Sequence, residues 1–174
     1  MASANAHSHD PALDLYAAVR SSRRPHDRRA IVIEASRYLG AVSILLVGAV
    51  HAQQYYGAFF SVVPTIGTLF LLSFIGAGIV GAVLLSPVRR LGREIGDAAL
   101  VVAALGAISI AVGTFVSLLI SEYTPLFGFM ESGYRLAVVL TLLFDVMTTV
   151  FLGVFVALVA PPLVRTIATD RRLR

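Results

Sequence analysis

One apolar segment passes into the next through His51-Ala-Gln-Gln-Tyr-Tyr-Gly-Ala-Phe-Phe-Ser-Val-Val-Pro-Thr-Ile-Gly67, a stretch without a positive charge. It holds one histidine, two glutamines, two tyrosines and two phenylalanines. The 174-residue chain has 57% hydrophobic and 14% charged residues, and its mean hydropathy is +0.85. Such a composition is too apolar for a soluble globular domain.

Four apolar segments can each form a membrane-spanning helix, because each has about 20 or more residues and a helix of that length crosses roughly 30 Å of hydrocarbon. They cover residues 35–56, 65–85, 98–120 and 136–161. Val50-His51-Ala52 resembles a signal-peptide cleavage site, but a long charged region precedes the first segment and three more spans follow it. We therefore expect an all-α membrane protein with a bundle of four transmembrane helices.

The arginines indicate the orientation of these helices. All fourteen basic residues are arginine, and only Arg135 follows the third span and precedes the fourth. The others precede the first span or mark its start, join the second span to the third, or follow the fourth: Arg20, Arg23, Arg24, Arg28, Arg29, Arg37, Arg89, Arg90, Arg93, Arg165, Arg171, Arg172 and Arg174. The positive-inside rule then predicts a multi-pass protein of the cytoplasmic membrane with both termini in the cytoplasm. Nucleic-acid binding is not expected, because these arginines flank membrane spans.

This orientation defines three regions. Residues 1–30 form a polar, arginine-rich cytoplasmic segment facing anionic lipid, residues 31–162 form the transmembrane domain, and residues 163–174 form a basic cytoplasmic tail. Ala12–Arg20 can form a short interfacial helix, although we expect the N-terminal segment to be loosely ordered. Its histidines do not favour a metal site, because His7 and His9 lack a third nearby ligand. The chain has no cysteine.

Both extracytoplasmic loops are aromatic. They hold eight of the sixteen aromatic residues of the chain: Tyr55, Tyr56, Phe59, Phe60, Tyr123, Phe127, Phe129 and Tyr134. Some of these belong to the usual interfacial belt. Thr124–Met130 is nevertheless unusually apolar for a water-exposed loop. We expect both loops to lie back on the bundle as a lid at the depth of the lipid headgroups.

Small residues at helical spacing predict where the helices pack against each other, since close packing in lipid requires them. The rows are Ser109-Gly113-Ser117 and Ala103-Ala107-Ala111 in the third span, Gly78-Ala82 and Ala77-Gly81 in the second, and Thr141-Asp145-Thr149-Gly153-Ala157 in the fourth. These rows predict a compact bundle. They do not distinguish contacts within one chain from contacts with a second copy or another subunit.

Asp145 is the charged residue deepest within a span, and its place on the small-residue row predicts that it faces protein. One interpretation is a proton or cation site, or a contact with a positive group of a partner, with Thr141 and Thr149 beside it. The other is a carboxyl group that ties helices together through threonine hydrogen bonds. The sequence leaves both open.

His51 lies near the extracytoplasmic end of the first span. Together with Tyr55, Glu122 and Glu131 it forms a candidate outer-face site of imidazole and carboxylate groups, which can bind a cation or respond to acidity. Three ligands from distant segments do not form a dense metal motif, so no metal is predicted. The simpler interpretation is an interfacial histidine bonded to backbone or carboxylate.

The pattern His51…Tyr55, Pro64-Thr-Ile-Gly67 with Leu69-Phe-Leu-Leu72, and Leu126-Phe-Gly-Phe-Met-Glu-Ser132 resembles a group of small four-helix membrane proteins of high-GC actinobacteria. The resemblance covers roughly residues 35–160. It implies a fold and no activity, because that group has no assigned chemistry. The chain is more loosely similar to DoxX-type four-helix proteins in size and topology, without a diagnostic motif of that group.

Two functions remain open. No catalytic motif and no cofactor site is predicted, because the chain lacks a nucleophile elbow, a phosphate-binding glycine loop and paired metal-binding histidines. This favours an accessory subunit that docks on a larger membrane complex or an extracytoplasmic partner, or that self-associates. The alternative is a small transporter or redox-linked protein in which Asp145 and His51 handle protons, ions or a quinone headgroup.

Overall fold

A computed structural model of the chain describes residues 11–63, 65–126 and 135–172, with side chains for 28–63, 65–126 and 135–161. The described residues form helices and connections without a strand. The four long helices are α1 (Pro11–Gly57), α2 (Ile66–Leu85), α3 (Arg93–Tyr123) and α4 (Leu136–Arg172), and short 3-10 helices cover Phe60–Val62 and Val88–Leu91. The chain divides into two compact units, residues 1–32 and 33–174.

All four helices are long and apolar enough to cross a membrane. The segments that meet this criterion are Arg28–Gly57, Ile66–Leu85, Arg93–Tyr123 and Leu136–Pro161. This confirms the prediction of four apolar helices in an all-helical protein. The first and third segments extend beyond the predicted 35–56 and 98–120, because helical hydrogen bonding continues through the polar residues at their ends.

Residues 11–32 of the first unit are helical, in contrast to the loosely ordered segment that we expected. The helix begins at Pro11, and proline suits the first turn of a helix because the amide it lacks has no partner there. Once a helix is nucleated, each further residue costs little, so the spanning helix can propagate into a polar segment. His7 and His9 lie outside the described residues.

In the second unit each helix packs against two others through small residues. Gly48 of α1 faces α2, where an added Cβ would lie 3.0 Å from the Cβ of Ala77. Gly81 of α2 faces α1 in the same way, since an added Cβ would lie 2.6 Å from Leu45 Cδ2. Gly40 of α1 leaves no room for a Cβ against Leu152 of α4. Small residues therefore set the close approach of α1 to both neighbours.

The third helix, α3, packs against α2 and α4. Each of the four helices therefore has two neighbours in the bundle. The buried core is formed by apolar residues of all four helices, namely Ala41, Ile44, Val47, Ala77, Leu84, Leu100, Ala103, Ala104, Ala107, Leu152, Phe155 and Val159. The core residues of α3 are Leu100 and three alanines. Two of these alanines, Ala104 and Ala107, have no exposed surface. The row Ala103-Ala107-Ala111 thus packs as the sequence predicts.

Three other predicted packing positions form no close contact with the described residues of this chain. An added Cβ at Gly78 or Gly153 would meet no atom within 4 Å, and Ala82 is exposed. In α2 the row that packs is Ala77-Gly81, one residue away from Gly78-Ala82. The physical reason is rotation: neighbouring residues of a helix lie about 100° apart, so only one of two adjacent rows can face the neighbouring helix.

The connection between α1 and α2 lies partly against the bundle. The Phe60 ring makes an edge contact with Phe70 of α2, with the ring centroids 5.2 Å apart, whereas Phe59 is 72% exposed. Phe59 and Thr65 both have positive φ, which turns the chain sharply into α2. In this connection Phe60 lies on the bundle as the lid prediction expects, whereas Phe59 does not. Most of the second connection, residues 127–134, lies outside the described part of the chain.

Candidate ligand-binding cavity

A cavity of about 430 Å³ lies between the four helices, at the end of the bundle where the α1–α2 and α3–α4 connections are found. Its wall includes residues of the last turns of α1, the first half of α2, the second half of α3 and the first turns of α4. This volume is within the usual range for sites that bind small molecules. We call it the bundle cavity.

The lining is apolar with several polar groups, which is typical of small-molecule sites. The apolar side chains include Leu69, Phe70, Ile110, Leu118 and Val138. The polar and charged ones are His51, Gln54, Ser73, Ser109, Thr114, Ser117, Ser121, Arg135 and Thr141. An amphipathic molecule could therefore find both apolar contact and hydrogen-bonding groups in the same space.

The α3 row Ser109-Gly113-Ser117, which the sequence predicts at a helix contact, lines this cavity. All three residues are exposed, and an added Cβ at Gly113 would meet no atom within 4 Å. Ser109 donates to the Leu105 carbonyl of its own helix. Small residues at this position leave space open between helices where larger ones would fill it.

His51 belongs to the cavity wall, with only 5% of its surface exposed. Its Nδ1 lies 2.8 Å from the Val47 carbonyl oxygen, and its ring makes an edge contact with Phe70 at 5.3 Å. A carbonyl only accepts, so Nδ1 carries the proton. In the neutral imidazole Nε2 is then an acceptor.

Of the predicted outer-face site, the structure describes His51, Tyr55 and Glu122. Within the described residues no cluster of three histidine, aspartate, glutamate or cysteine side chains could hold an ion. Tyr55 contacts the ring of Tyr56, with centroids 4.8 Å apart, and Glu122 has a buried carboxylate oxygen without a hydrogen-bond partner among the described atoms. Glu131 lies outside the described residues. The simpler interpretation of His51, a histidine bonded to the backbone, agrees with the contact of its Nδ1 with the Val47 carbonyl.

Arg135 and Phe60 stand together at the cavity. The Arg135 guanidinium carbon lies 5.9 Å from the centroid of the Phe60 ring, within the range of a cation–π contact. Gln54, also in the cavity wall, donates through its side-chain amide to the neighbouring Gln53. A cationic group and an amide therefore accompany His51 in the wall of the cavity.

Asp145 is buried between α3 and α4, as its place on the small-residue row predicts, with 1% of its surface exposed. Its hydrogen-bond partner is Thr114 of α3, whose Oγ1 lies 2.8 Å from Asp145 Oδ2. The two threonines expected beside it act differently: Thr149 donates to the Asp145 backbone carbonyl and Thr141 to the Ala137 carbonyl. Threonines within helices commonly bond to the carbonyl four residues earlier, and both of these do so.

Two buried oxygens near this pair lack a hydrogen-bond partner among the described atoms. They are Asp145 Oδ1 and Thr148 Oγ1, from residues three apart and hence on one face of α4. A second, smaller cavity of about 200 Å³ also borders Asp145, together with Phe115 and Thr149. Thr114 belongs to the wall of the bundle cavity, so the Thr114–Asp145 pair lies between the two spaces.

The pairing of Thr114 with Asp145 could have been found in the sequence by comparing positions in two consecutive helices. Thr114 is the single threonine of the third span and lies nine residues before the end of α3 at Tyr123. Asp145 lies nine residues after the start of α4 at Leu136. In consecutive antiparallel helices, equal distances from the connection place residues at equal depth, here about 14 Å along the axis.

The opposite end of the bundle is held by ion pairs around the α2–α3 connection. Arg89 Nε donates to Asp97 at 2.6 Å and its Nη1 to Glu34, while Glu34 also pairs with the buried Arg37 at 2.8 Å. Burial alone would lower the pKa of Arg89, but these hydrogen bonds and charges raise it above its ordinary value. On the basic side of neutrality this stabilisation is fully present below the pKa of a free arginine and is lost as pH rises through the raised value.

Comparison with known proteins adds no assignment to this geometry. No protein-family model, no curated protein and no solved structure matches the chain.

Proposed function

We propose that this protein binds a small amphipathic molecule of the quinone type in the bundle cavity, as a step in handling that molecule within the membrane. The observation that carries the proposal is a cavity of about 430 Å³ with an apolar wall and a limited set of polar groups. The arginine distribution supports a cytoplasmic-membrane protein whose cavity lies in the extracytoplasmic half of the bilayer.

The polar groups suit a headgroup that both accepts and donates hydrogen bonds. Ser117 and Gln54 carry donors in the cavity wall, and His51 Nε2 is an acceptor in the neutral ring. A quinone carbonyl can accept from the former, and the hydroxyl of the reduced quinol can donate to the latter. The apolar side chains of α2 and α3 supply contact for a hydrocarbon tail.

The accessory-subunit hypothesis rests on small size, on the lack of a catalytic motif and on the aromatic residues at this end of the bundle. Tyr56, Phe59 and Tyr123 are indeed exposed. Aromatic side chains at the membrane interface are exposed in the same way in proteins without a protein partner. The cavity is the more specific observation, and it supports ligand handling. The resemblance to small actinobacterial four-helix proteins is compatible with either role, because it carries no activity.

The experiment measures binding of decylubiquinone to the full chain in lipid nanodiscs by equilibrium dialysis. Gly113→Leu fills the cavity and should abolish saturable binding, whereas Gly78→Leu adds the same side chain on an open face of α2 and should leave it intact. Both variants should keep their helix content and melting temperature. Equal binding by both variants, or binding by wild type that does not exceed that of empty nanodiscs, contradicts the proposal.

His51→Phe tests recognition of the headgroup. Phenylalanine keeps a ring next to Phe70 but removes the acceptor. Loss of one net hydrogen bond of about 0.5–1.5 kcal/mol corresponds to an affinity for reduced decylubiquinol lowered by roughly 2- to 12-fold. An unchanged affinity for the quinol would remove His51 from the site while leaving the cavity assignment standing.

A further inference from the structure

We propose that Asp145 is a proton-binding site inside the bundle and that it exchanges its proton with the bundle cavity through the hydroxyl group of Thr114. This inference goes beyond the binding of a ligand and does not depend on which molecule the cavity holds. It rests on the isolation of the carboxyl group, the geometry of Thr114 and the two unpartnered oxygens beside them.

Asp145 is isolated from other charges. Neither α2 from Ile66 to Leu85 nor α3 from Ala98 to Ser121 contains an aspartate, glutamate, lysine, arginine or histidine. In α4 the stretch 136–161 contains Asp145 alone, and in α1 the stretch 38–57 contains His51, which lines the same cavity as Thr114. Among the described residues no cation pairs with the Asp145 carboxyl group. Without a cation to pair with, the carboxyl group in this setting can be neutralised by taking up a proton.

Thr114 can serve both protonation states of Asp145. Its Oγ1 lies 2.8 Å from Asp145 Oδ2, 3.0 Å from the Ala111 carbonyl and 3.1 Å from the Ile110 carbonyl. A hydroxyl group has one proton and can donate only one strong bond at a time. It donates to the carboxylate when Asp145 is charged. When Asp145 is neutral, the acid donates to Thr114 and Thr114 donates to a backbone carbonyl.

The same geometry provides a balanced transfer step. For the transfer, the Thr114 hydroxyl group first rotates from the backbone carbonyl to an acceptor in the cavity, a water molecule or a ligand atom. It then gives its proton to that acceptor while Oγ1 takes the acid proton of Asp145. One proton enters and one leaves, so Thr114 is unchanged after its hydroxyl group rotates back. Thr114 is a positioning residue for this exchange, and Asp145 is the site that stores the proton.

The unpartnered oxygens complete the site. Asp145 Oδ1 and Thr148 Oγ1 are both buried and lack a hydrogen-bond partner among the described atoms, and Thr148 has no exposed surface. Buried polar atoms are normally satisfied, and a bound water molecule is a common partner where protein groups are missing. One water between these oxygens would stabilise Asp145 in either charge state. By thermodynamic linkage, a ligand in the cavity that bonds to Thr114 then changes the proton affinity of Asp145, and the proton changes the affinity for the ligand equally.

The test is infrared spectroscopy of the full chain in lipid nanodiscs with carbonyl-13C-labelled aspartate. A protonated aspartic acid has a carbonyl stretch separate from those of carboxylates and of the peptide backbone, and the label shifts only aspartate bands. Wild type should show one such band in the neutral to mildly acidic range that disappears in alkaline buffer. Asp145→Asn should lack the band while keeping its helix content.

The matched pair Thr114→Val and Thr114→Ser tests the route. Valine has the shape of threonine without the hydroxyl group, so after transfer to D₂O the hydrogen–deuterium shift of the Asp145 band should be slower than in wild type. Serine keeps the hydroxyl group and should restore the fast shift. This comparison needs only the band in folded protein, so it stands even where Asp145→Asn fails to fold.

Three results would overturn the inference. The first is an aspartate that stays ionised at every pH at which the protein is folded, which gives no protonated band. The second is a band that persists in folded Asp145→Asn and so belongs to another aspartate. The third is equal exchange rates in the valine and serine variants, which would exclude the route through Thr114.

Discussion

Gly96→Ala is expected to destabilise the bundle by disturbing its contact with the α2–α3 connection. Gly96 is buried in the first turns of α3, where an added Cβ would lie 2.6 Å from Arg89 Cα and 2.9 Å from the Val88 carbonyl oxygen. Carbon atoms in good contact are about 3.5–4.0 Å apart, so the connection has to move by about 1 Å. The obstacle is backbone, which cannot yield by rotating a side chain.

The size of the effect follows from two opposing terms. Overpacking of this kind costs about 1–3 kcal/mol, and replacement of glycine by alanine in a helix gains up to about 1 kcal/mol from helix propensity. We expect a net loss of about 1–2 kcal/mol in the free energy of unfolding. A displaced connection also moves Arg89 away from Asp97, whose carboxylate it contacts at 2.6 Å, and this adds to the loss.

Gly113→Ala in the same helix is the matched control. A Cβ at Gly113 meets no atom within 4 Å, so only the propensity term remains and stability should stay unchanged or rise by up to about 1 kcal/mol. Unfolding of both variants by sodium dodecyl sulfate in mild detergent, followed by circular dichroism, measures the difference. Equal stability of Gly96→Ala and Gly113→Ala would refute the reasoning, because it would mean that the close approach of Gly96 to the connection carries no energetic cost.

Two further predictions concern the charged residues of the chain. Glu34→Gln removes a carboxylate shared by Arg89 and the buried Arg37, whose Nε already lacks a partner among the described atoms, and should lower the free energy of unfolding by about 1–3 kcal/mol in the same assay. No measurable loss would show that solvent replaces this carboxylate fully. From the arginine distribution, single cysteines at the exposed Ala58 and Leu91 should differ in intact cells: an impermeant thiol reagent should label the first and not the second, and the reverse result would invert the topology.

The sequence determined the membrane architecture, because each span depends on local properties of the chain. Twenty or more consecutive apolar residues have one favourable environment, and their backbone hydrogen bonds can be satisfied only within a helix there. The burial of Asp145 followed in the same way, since a carboxyl group that faces lipid is costly and is therefore expected at a protein-facing position of α4.

The tertiary structure decided which of several similar rows form contacts. Ala103-Ala107-Ala111 and Ser109-Gly113-Ser117 both repeat every four residues, and only the rotation of α3 places the first in the core and the second along a cavity. That rotation depends on contacts from other helices, such as Gly76 with Ile110, and so is not encoded within the α3 sequence alone. The bond between Thr114 and Asp145 joins two helices for the same reason. Periodicity gives the faces of a helix, and packing against its neighbours selects which face becomes the core and which borders open space.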